Sequence, residues 1–359
     1  MTRGELISTI LRGAWRASPN SDLSLSVEEF DEVTPLLYDS GAAPLGWWRI
    51  RRTELRDSPS AELMHQAFRL QVLFAKTHET KIQKIFRLLR TAGVEPILIK
   101  GWVIGRLYPE FGLRPSGDID LFVRRDEYPA ALEVITSEEA RDCWVDLHGR
   151  IFELADRDPE GLFQRSELLP CGDQEVRVLS AEDHFALLAV HLLKHGAWRP
   201  LWLCDLGLLL ESMPENFDWK LCLGVNKRHS NWILSAIGLA SKLVDAQIQS
   251  EEIAALSRQI PDWLAPAVLK QWEKPFAINQ PPMNYRAPMS SYLRSPRGLF
   301  RDLANRWPNP VLATVSINGQ FNRLPRFPYQ FGNIAARALK CFWRLPTRLI
   351  RLEARPPSA

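Results

Sequence analysis

Cysteine is scarce and scattered: five residues, at 143, 171, 204, 222 and 341, with no Cys-x-x-Cys pair among them. That spacing argues against a zinc knuckle or a disulfide framework and fits the reduced thiols of a cytoplasmic protein. No window offers about 18 uncharged apolar residues, so no stable membrane insertion is predicted. The opening MTRGELISTILRGAW has no long apolar stretch leading to a small-residue cleavage site, and no secretory signal is expected from it. Internal repeats are absent. An apolar fraction of 46% is ordinary for a globular chain and excludes disorder of the whole.

What is present is unevenly distributed. The 359 residues exceed one usual domain, so two or three packed units are expected. Thirteen tryptophans, several beside arginine, suit well-filled cores, interfaces or ligand platforms. From Ser291 onward twelve Lys or Arg face two acids, a net +10, whereas the preceding chain carries −7. Such a tail binds an acidic partner or packs back on the acidic body of its own chain. No recognised nucleic-acid motif accompanies it.

Periodicity divides the chain into four regions. Residues 1–92 read as helical, with segments at 4–14, 26–38 (Ser26 and Glu29 as a capping box) and 61–92. In the last, Leu63, Phe68, Leu70, Leu73, Ile82, Phe86 and Leu89 are expected in the core. Residues 93–180 change texture. Short strands are predicted at 96–100, 118–123, 143–151 and 175–179, with helices at 102–108 and 126–135, giving a small α/β or α+β unit. Residues 181–260 return to helices at 181–195, 201–211, 216–228 and 231–246, with Ser180 as the first N-cap. Residues 261–359 form a basic, Pro- and Arg-rich extension with short helices near 298–306 and 333–344.

The stretch RPSGDIDLFV, residues 114–123, holds the chemistry. Side chains two apart on a strand share a face, so Asp118 and Asp120 project together while Ile119 and Leu121 pack behind. Converging acids repel unless a cation joins them, and Mg²⁺ suits oxygen ligands that leave room for water and phosphate. The next strand, WVDLH, sets Asp146 and His148 on one face, and Asp146 completes a carboxylate triad if the strands are neighbours. Lys100 with Gly101 ends a strand upstream, where the cation reaches phosphate and the glycine admits close backbone approach. Arg114, Ser116 and Gly117 are further phosphate contacts.

The run ILIKGWVIGRLYPEFGLRPSGDIDLFV, then WVDLHGR, then LSAEDHFALLAVHLLKHG, resembles the nucleotidyltransferase superfamily with a DNA polymerase β-like catalytic domain. It is most similar to a largely uncharacterised bacterial branch whose members carry an LKG strand, an R…GDIDLLV strand and a DLHW segment. The resemblance covers roughly residues 30–250. It implies an α+β core with a small mixed sheet, extra N-terminal helices and a mostly helical C-terminal region. It also implies Asp118 and Asp120 as paired metal ligands, Asp146 as the third carboxylate, and transfer of a nucleoside monophosphate from an NTP, ATP by default, with Mg²⁺ or Mn²⁺. The acceptor, a small molecule, protein or RNA, is not given. Two departures stand out. Trp102 follows Gly101 where the superfamily has Gly-Ser, and Gly149 replaces the Trp of DLHW, opening space beside His148.

His184, His191 and His195 share one helix face. His148, His191 and His195 are candidates to contact the acceptor or support the metal ligands. Three other readings stay open: a non-catalytic nucleotide-sensing or protein-binding module on this fold, a phosphohydrolase with a metal held by the three helical histidines and nearby Asp183 and Asp205, and a toxin-like enzyme that nucleotidylates tRNA or protein.

Overall fold

A computed structural model describes residues 1–20, 22–275, 307–337 and 339. The helices in chain order are α1 Arg3–Leu11, α2 Val27–Asp39, α3 Ala43–Ile50, α4 Pro59–Thr91, α5 Gly101–Gly105, α6 Tyr128–Thr136, α7 Pro159–Arg165, α8 Ala181–Lys194, α9 Pro200–Glu211, α10 Trp219–Leu223, α11 Lys227–Val244, α12 Glu251–Ser257, α13 Leu264–Trp272, α14 Pro310–Ser316 and α15, 327–337. The strands are β1 Ile97–Ile99, β2 Ile119–Phe122, β3 Val145–His148, β4 Glu167–Cys171 and β5 Gln174–Val178. They form one mixed sheet in the order β3-β2-β1-β5-β4, with β2/β3 and β1/β5 parallel and the other pairs antiparallel. This is an α+β core with N-terminal helices on one side of the chain and a mostly helical region after it. Among the described residues no helix is long and apolar enough to cross a membrane.

The helix starts follow their caps. Ser26 and Glu29 make the expected reciprocal box, and Thr2 with Glu5 makes a second. Ser180 accepts from the Asp183 amide at the start of α8. The sheet then separates two cores by strand alternation. Leu98, Ile119, Leu121, Val123 and Val178 pack with Ile82, Phe86 and Leu89 of α4. Ile97, Ile99 and Phe122 face the larger core built by α1, α2, α8, α9 and α11. Asp120 lies between Ile119 and Leu121, so the alternation turns it toward the larger, helical side.

Several expectations need correction. Leu63, Leu70 and Leu73 are not core but more than half exposed, because only the C-terminal half of the 33-residue α4 lies under the sheet. β4 was not anticipated; Pro170 obscures it, yet β4 is an edge strand, where a missing amide costs little. α3 and α7 were also unassigned. The break expected at His229-Ser230 is absent, since Ser230 Oγ donates to the Leu223 and Asn226 carbonyls within a continuous α11. The helix predicted at 298–306 lies outside the described residues, as does most of 333–344. Of the extension, residues 307–337 fold back on the body: Val311, Val315 and Phe321 join the larger core, and Trp232 Nε1 donates to the Gly319 carbonyl at 2.7 Å.

The loop between α5 and β2 is fixed from two sides. Gly112 has φ +87, and a Cβ there would sit 2.5 Å from the Val72 backbone nitrogen of α4. On the other side Arg114 and Asp205 of α9 form a buried ion pair at 3.1 Å, and Tyr108 donates to Asp205 at 2.8 Å. Removing one member of a buried pair strands the other charge, so Asp205→Ala is expected to cost about 3–5 kcal/mol. Urea unfolding checks this; the double replacement Arg114→Met with Asp205→Leu should recover much of the loss.

Candidate functional site

The parallel pairing of β2 and β3 sets Asp120 directly opposite Asp146. Two positions further along, Phe122 opposes His148. His148 Nε2 lies 3.2 Å from Asp120 Oδ1 and 3.3 Å from Asp146 Oδ2. One ligand atom from each of these three residues falls within 4.8 Å of the others, the one such metal-sized cluster among the described residues. Asp120 is buried and Asp146 exposed, so the cluster opens outward from the sheet edge.

Lys100 ends β1, where Ile99 is paired with Asp120. Its backbone takes φ +61, followed by Gly101 at φ +36, and this turn sends Nζ to within 2.7 Å of Asp120 Oδ1. The amide of Lys100 donates to His184 Nε2 at 3.3 Å, anchoring the turn to α8. Burial pushes the Asp120 carboxyl up, but the His148 hydrogen bond and the charge of Lys100 outweigh it and hold its pKa below the ordinary value. A buried carboxylate is tolerable only with such partners.

Asp118, one residue outside β2, is exposed on a bend and is not part of the three-residue cluster, although it lines the same cavity. That cavity has a volume of about 940 Å³, which is ample for a nucleotide. Gly101, Ser116 and Gly117 line it as well. Arg114 lines it too, but its guanidinium is engaged by Asp205 and donates to Ser116 Oγ at 3.2 Å. It therefore orients the loop before β2 instead of offering a free cation. The space expected beside Gly149 is closed: a Cβ there would meet the Tyr128 ring at 2.9 Å.

α8 and α9 build the opposite wall. His191 Nδ1 lies 3.5 Å from Glu153 Oε1, which also accepts from Lys194 at 2.9 Å. His191 packs against His195, ring centroids 4.4 Å apart, and both meet Trp202. His184 is turned away to Lys100, and the three helical histidines assemble no metal-sized group with acids among the described residues. Asp183 is likewise committed, to Arg157 and Arg165. These contacts leave the histidine-held metal of a phosphohydrolase without its ligand set.

Sequence reasoning missed a third wall. Gln71, Phe74, Thr77, His78 and Lys81 of α4 line the cavity at helical spacing. A local signal exists, since Phe74, Thr77, His78 and Lys81 recur at i, i+3, i+4 and i+7, but it is mixed in character and falls beside the apolar positions that mark the helix's packing face. Arg150, Phe152 and Arg199 were missed as well. They sit on turns and helix starts with no local pattern.

The donor set fits a divalent cation. Two carboxylates with a third at the rim suit Mg²⁺ or Mn²⁺, and the imidazole either adds a nitrogen ligand or holds both carboxylates by hydrogen bonding. Around this acidic centre lie Lys81, Lys100, Arg150, Lys194 and Arg199, the charge environment a polyphosphate requires.

Burial keeps several histidines neutral. It lowers His78, His184 and His195 to about 4, with nearby cations adding to the effect. A histidine held at about 4 when folded and at 6.5 when unfolded costs nothing above 6.5. Below that the unfolded chain takes up the proton first, so stability is lost as pH falls from 6.5 toward 4. Across that window each such histidine is expected to lower the urea unfolding free energy by roughly 2–4 kcal/mol. His195→Asn should make the fall shallower.

Neither comparison with curated proteins nor comparison with solved structures returns a match. A family model does match, over residues 26–234, more than half of the chain, and its description is "uncharacterised nucleotidyltransferase". The matched span contains the whole mixed sheet, the Asp120–Asp146–His148 cluster and α8 and α9. Together with the polymerase β-like character of the α+β core, this establishes that the chain belongs to that nucleotidyltransferase family.

Proposed function

We propose that the protein transfers a nucleoside monophosphate from an NTP, ATP by default, to a hydroxyl or phosphate acceptor and releases pyrophosphate. The observation that carries this reading is the register pairing of Asp120 with Asp146, bridged by His148, at the edge of a nucleotide-sized cavity lined by cations. Asp120 and Asp146 would hold Mg²⁺ or Mn²⁺, with Asp118 at the rim as a further ligand. A cation held there would neutralise phosphate charge and favour departure of pyrophosphate.

The remaining steps belong to the chain's own residues. Gly101 and Gly117 let the backbone approach the phosphates, and no atom lies within 4 Å of a Cβ built at Gly117. Ser116, oriented by Arg114, offers a hydroxyl. Lys100 sits close enough to Asp120 to exchange that carboxylate for a phosphate oxygen. The acceptor oxygen attacks the α-phosphorus as the bond to the β-phosphate breaks and pyrophosphate leaves; Asp146 aligns the nucleophile and, where the acceptor is a hydroxyl, takes its proton. His191, His195 and Lys194 line the side from which the acceptor enters. Ionised Glu153, held well below the usual carboxylate range by His191 and Lys194 against the cost of burial, keeps that wall from becoming wholly cationic.

Asp120→Asn is expected to lower NTP-dependent pyrophosphate release by about 10²–10³-fold, the scale on which loss of one preorganised electrostatic group is felt. Retained release would overturn the assignment, as would release that survives removal of divalent metal by chelation.

Lys100→Met separates two roles. Without its ammonium, Asp120 faces one cation fewer, so Mn²⁺ binding in the absence of nucleotide should tighten. NTP binding should weaken by about tenfold or more, the worth of a charge-assisted hydrogen bond. Paired titrations, Mn²⁺ by paramagnetic resonance and NTP by calorimetry, read the two effects independently.

A further inference from the structure

Trp144 is the most exposed aromatic side chain among the described residues, at 72%, yet it lines the cavity two residues before Asp146. Its backbone takes φ +50, a left-handed conformation rare for an aromatic residue and costly to hold. Pairing with the neighbouring strand holds it there: its carbonyl accepts from the Ile119 amide at 3.0 Å, extending the β2/β3 ladder by one residue. Packing does not explain the position, because the ring is largely uncovered. Lys81 of α4 places Nζ 5.9 Å from the ring centroid; its charge also acts on the Asp142 carboxylate, which Lys84 binds directly at 2.7 Å. An exposed indole held in a strained turn with a cation close by is a surface built for something planar and electron-rich.

Its place on the sheet identifies the occupant. Ile119 opposes Val145, so Trp144 comes alongside Asp118. Ile99 opposes Asp120, which brings the Lys100–Gly101 turn to the same end of the sheet. The phosphate-facing elements and Trp144 thus share one edge. Of the two other exposed aromatics lining the cavity, Phe74 lies on α4, and Phe152 follows His148 at the opposite end of β3, between Arg150 and Lys194, each 5.5 Å from its centroid. The nucleotide's own base is therefore within reach of Trp144, and Phe152 lies toward the acceptor.

We propose that Trp144 is the platform on which the base of the donor nucleotide stacks, with the Lys81 ammonium beside the ring meeting the base's acceptor atoms. This rests on the reading of the site as one for an NTP. Every base has a π-face, so the platform tolerates all four, and purines, with the larger ring area, bind more tightly than pyrimidines.

The experiment titrates the full chain, in Mg²⁺, with a non-hydrolysable ATP analogue and separately with inorganic tripolyphosphate, which lacks sugar and base. Stacking on an aromatic is worth about 5- to 150-fold per base. The wild type should prefer the analogue by a factor in that range. Trp144→Ala should bring the analogue down to the tripolyphosphate level while leaving tripolyphosphate binding unchanged, and Trp144→Phe should restore much of the preference. Equal affinity of the wild type for both ligands would overturn the platform, and so would an unchanged analogue affinity in Trp144→Ala. Loss of both ligands together in Trp144→Ala would also overturn it, since the residue would then be supporting the phosphate site. Each of these results leaves the triphosphate site standing. If the wild type binds neither ligand, the nucleotide reading falls and the platform falls with it.

Discussion

Asp120 and Asp146 are register partners on parallel strands, so the fold presses like charges together at the edge of its sheet. In isolation that pairing would be repulsive, and more so because Asp120 is buried. The chain offsets it with cationic or hydrogen-bonding neighbours drawn from two directions: His148, two residues along β3, and Lys100, from the end of β1. Much of the surrounding structure serves to deliver those two groups. The positive φ of Lys100 turns its side chain back over β2, and His184 on α8 accepts the amide that the turn leaves free. The Arg114–Asp205 pair fixes the loop that enters β2. A centre stabilised by an ammonium and an imidazole is one that a divalent cation and a phosphate can take over with little change of backbone.

The cavity around this centre is polarised along β3. At the end where the strand begins, Trp144, Asp118, Gly101 and Gly117 offer an aromatic face and open backbone. At the far end, His191, Lys194, His195, Arg150 and Phe152 form a wall whose carboxylate, Glu153, is already neutralised. The asymmetry suits a two-substrate reaction, with the metal ligands between the two halves. The helices that build the second half pack in the same core as the N-terminal helices, so the wall proposed to receive the acceptor is braced by residues distant in sequence.

How far the sequence anticipates this depends on the range of the signal. Strands β1 and β2 are legible because ILI and IDLF are short apolar runs, and the alternation that aims Asp120 one way and Leu121 the other follows from strand geometry alone. The capping boxes are legible for the same local reason. What escapes is decided at a distance. Arg114 reads as a free phosphate ligand until Asp205, 91 residues later, is seen to hold it. Leu63, Leu70 and Leu73 read as core until the sheet is found to cover only the second half of α4. His148 reads only as one of three histidines that could contact the acceptor or support the metal ligands, and its position between both carboxylates depends on strand register. Asp118 reads as the equal of Asp120, yet the strand begins one residue after it.

The central claim is that Asp120 and Asp146 together hold the cation that a nucleotide's phosphates share. Diffraction from crystals grown with Mn²⁺ and a non-hydrolysable NTP, using the anomalous signal of manganese, tests it most directly. The account predicts an anomalous peak within coordination distance of carboxylate oxygens of both Asp120 and Asp146, with phosphate oxygens completing the shell and Lys100 withdrawn from Asp120. Manganese bound elsewhere in the cavity, or Asp146 turned away from Asp120 with the metal in place, would contradict it.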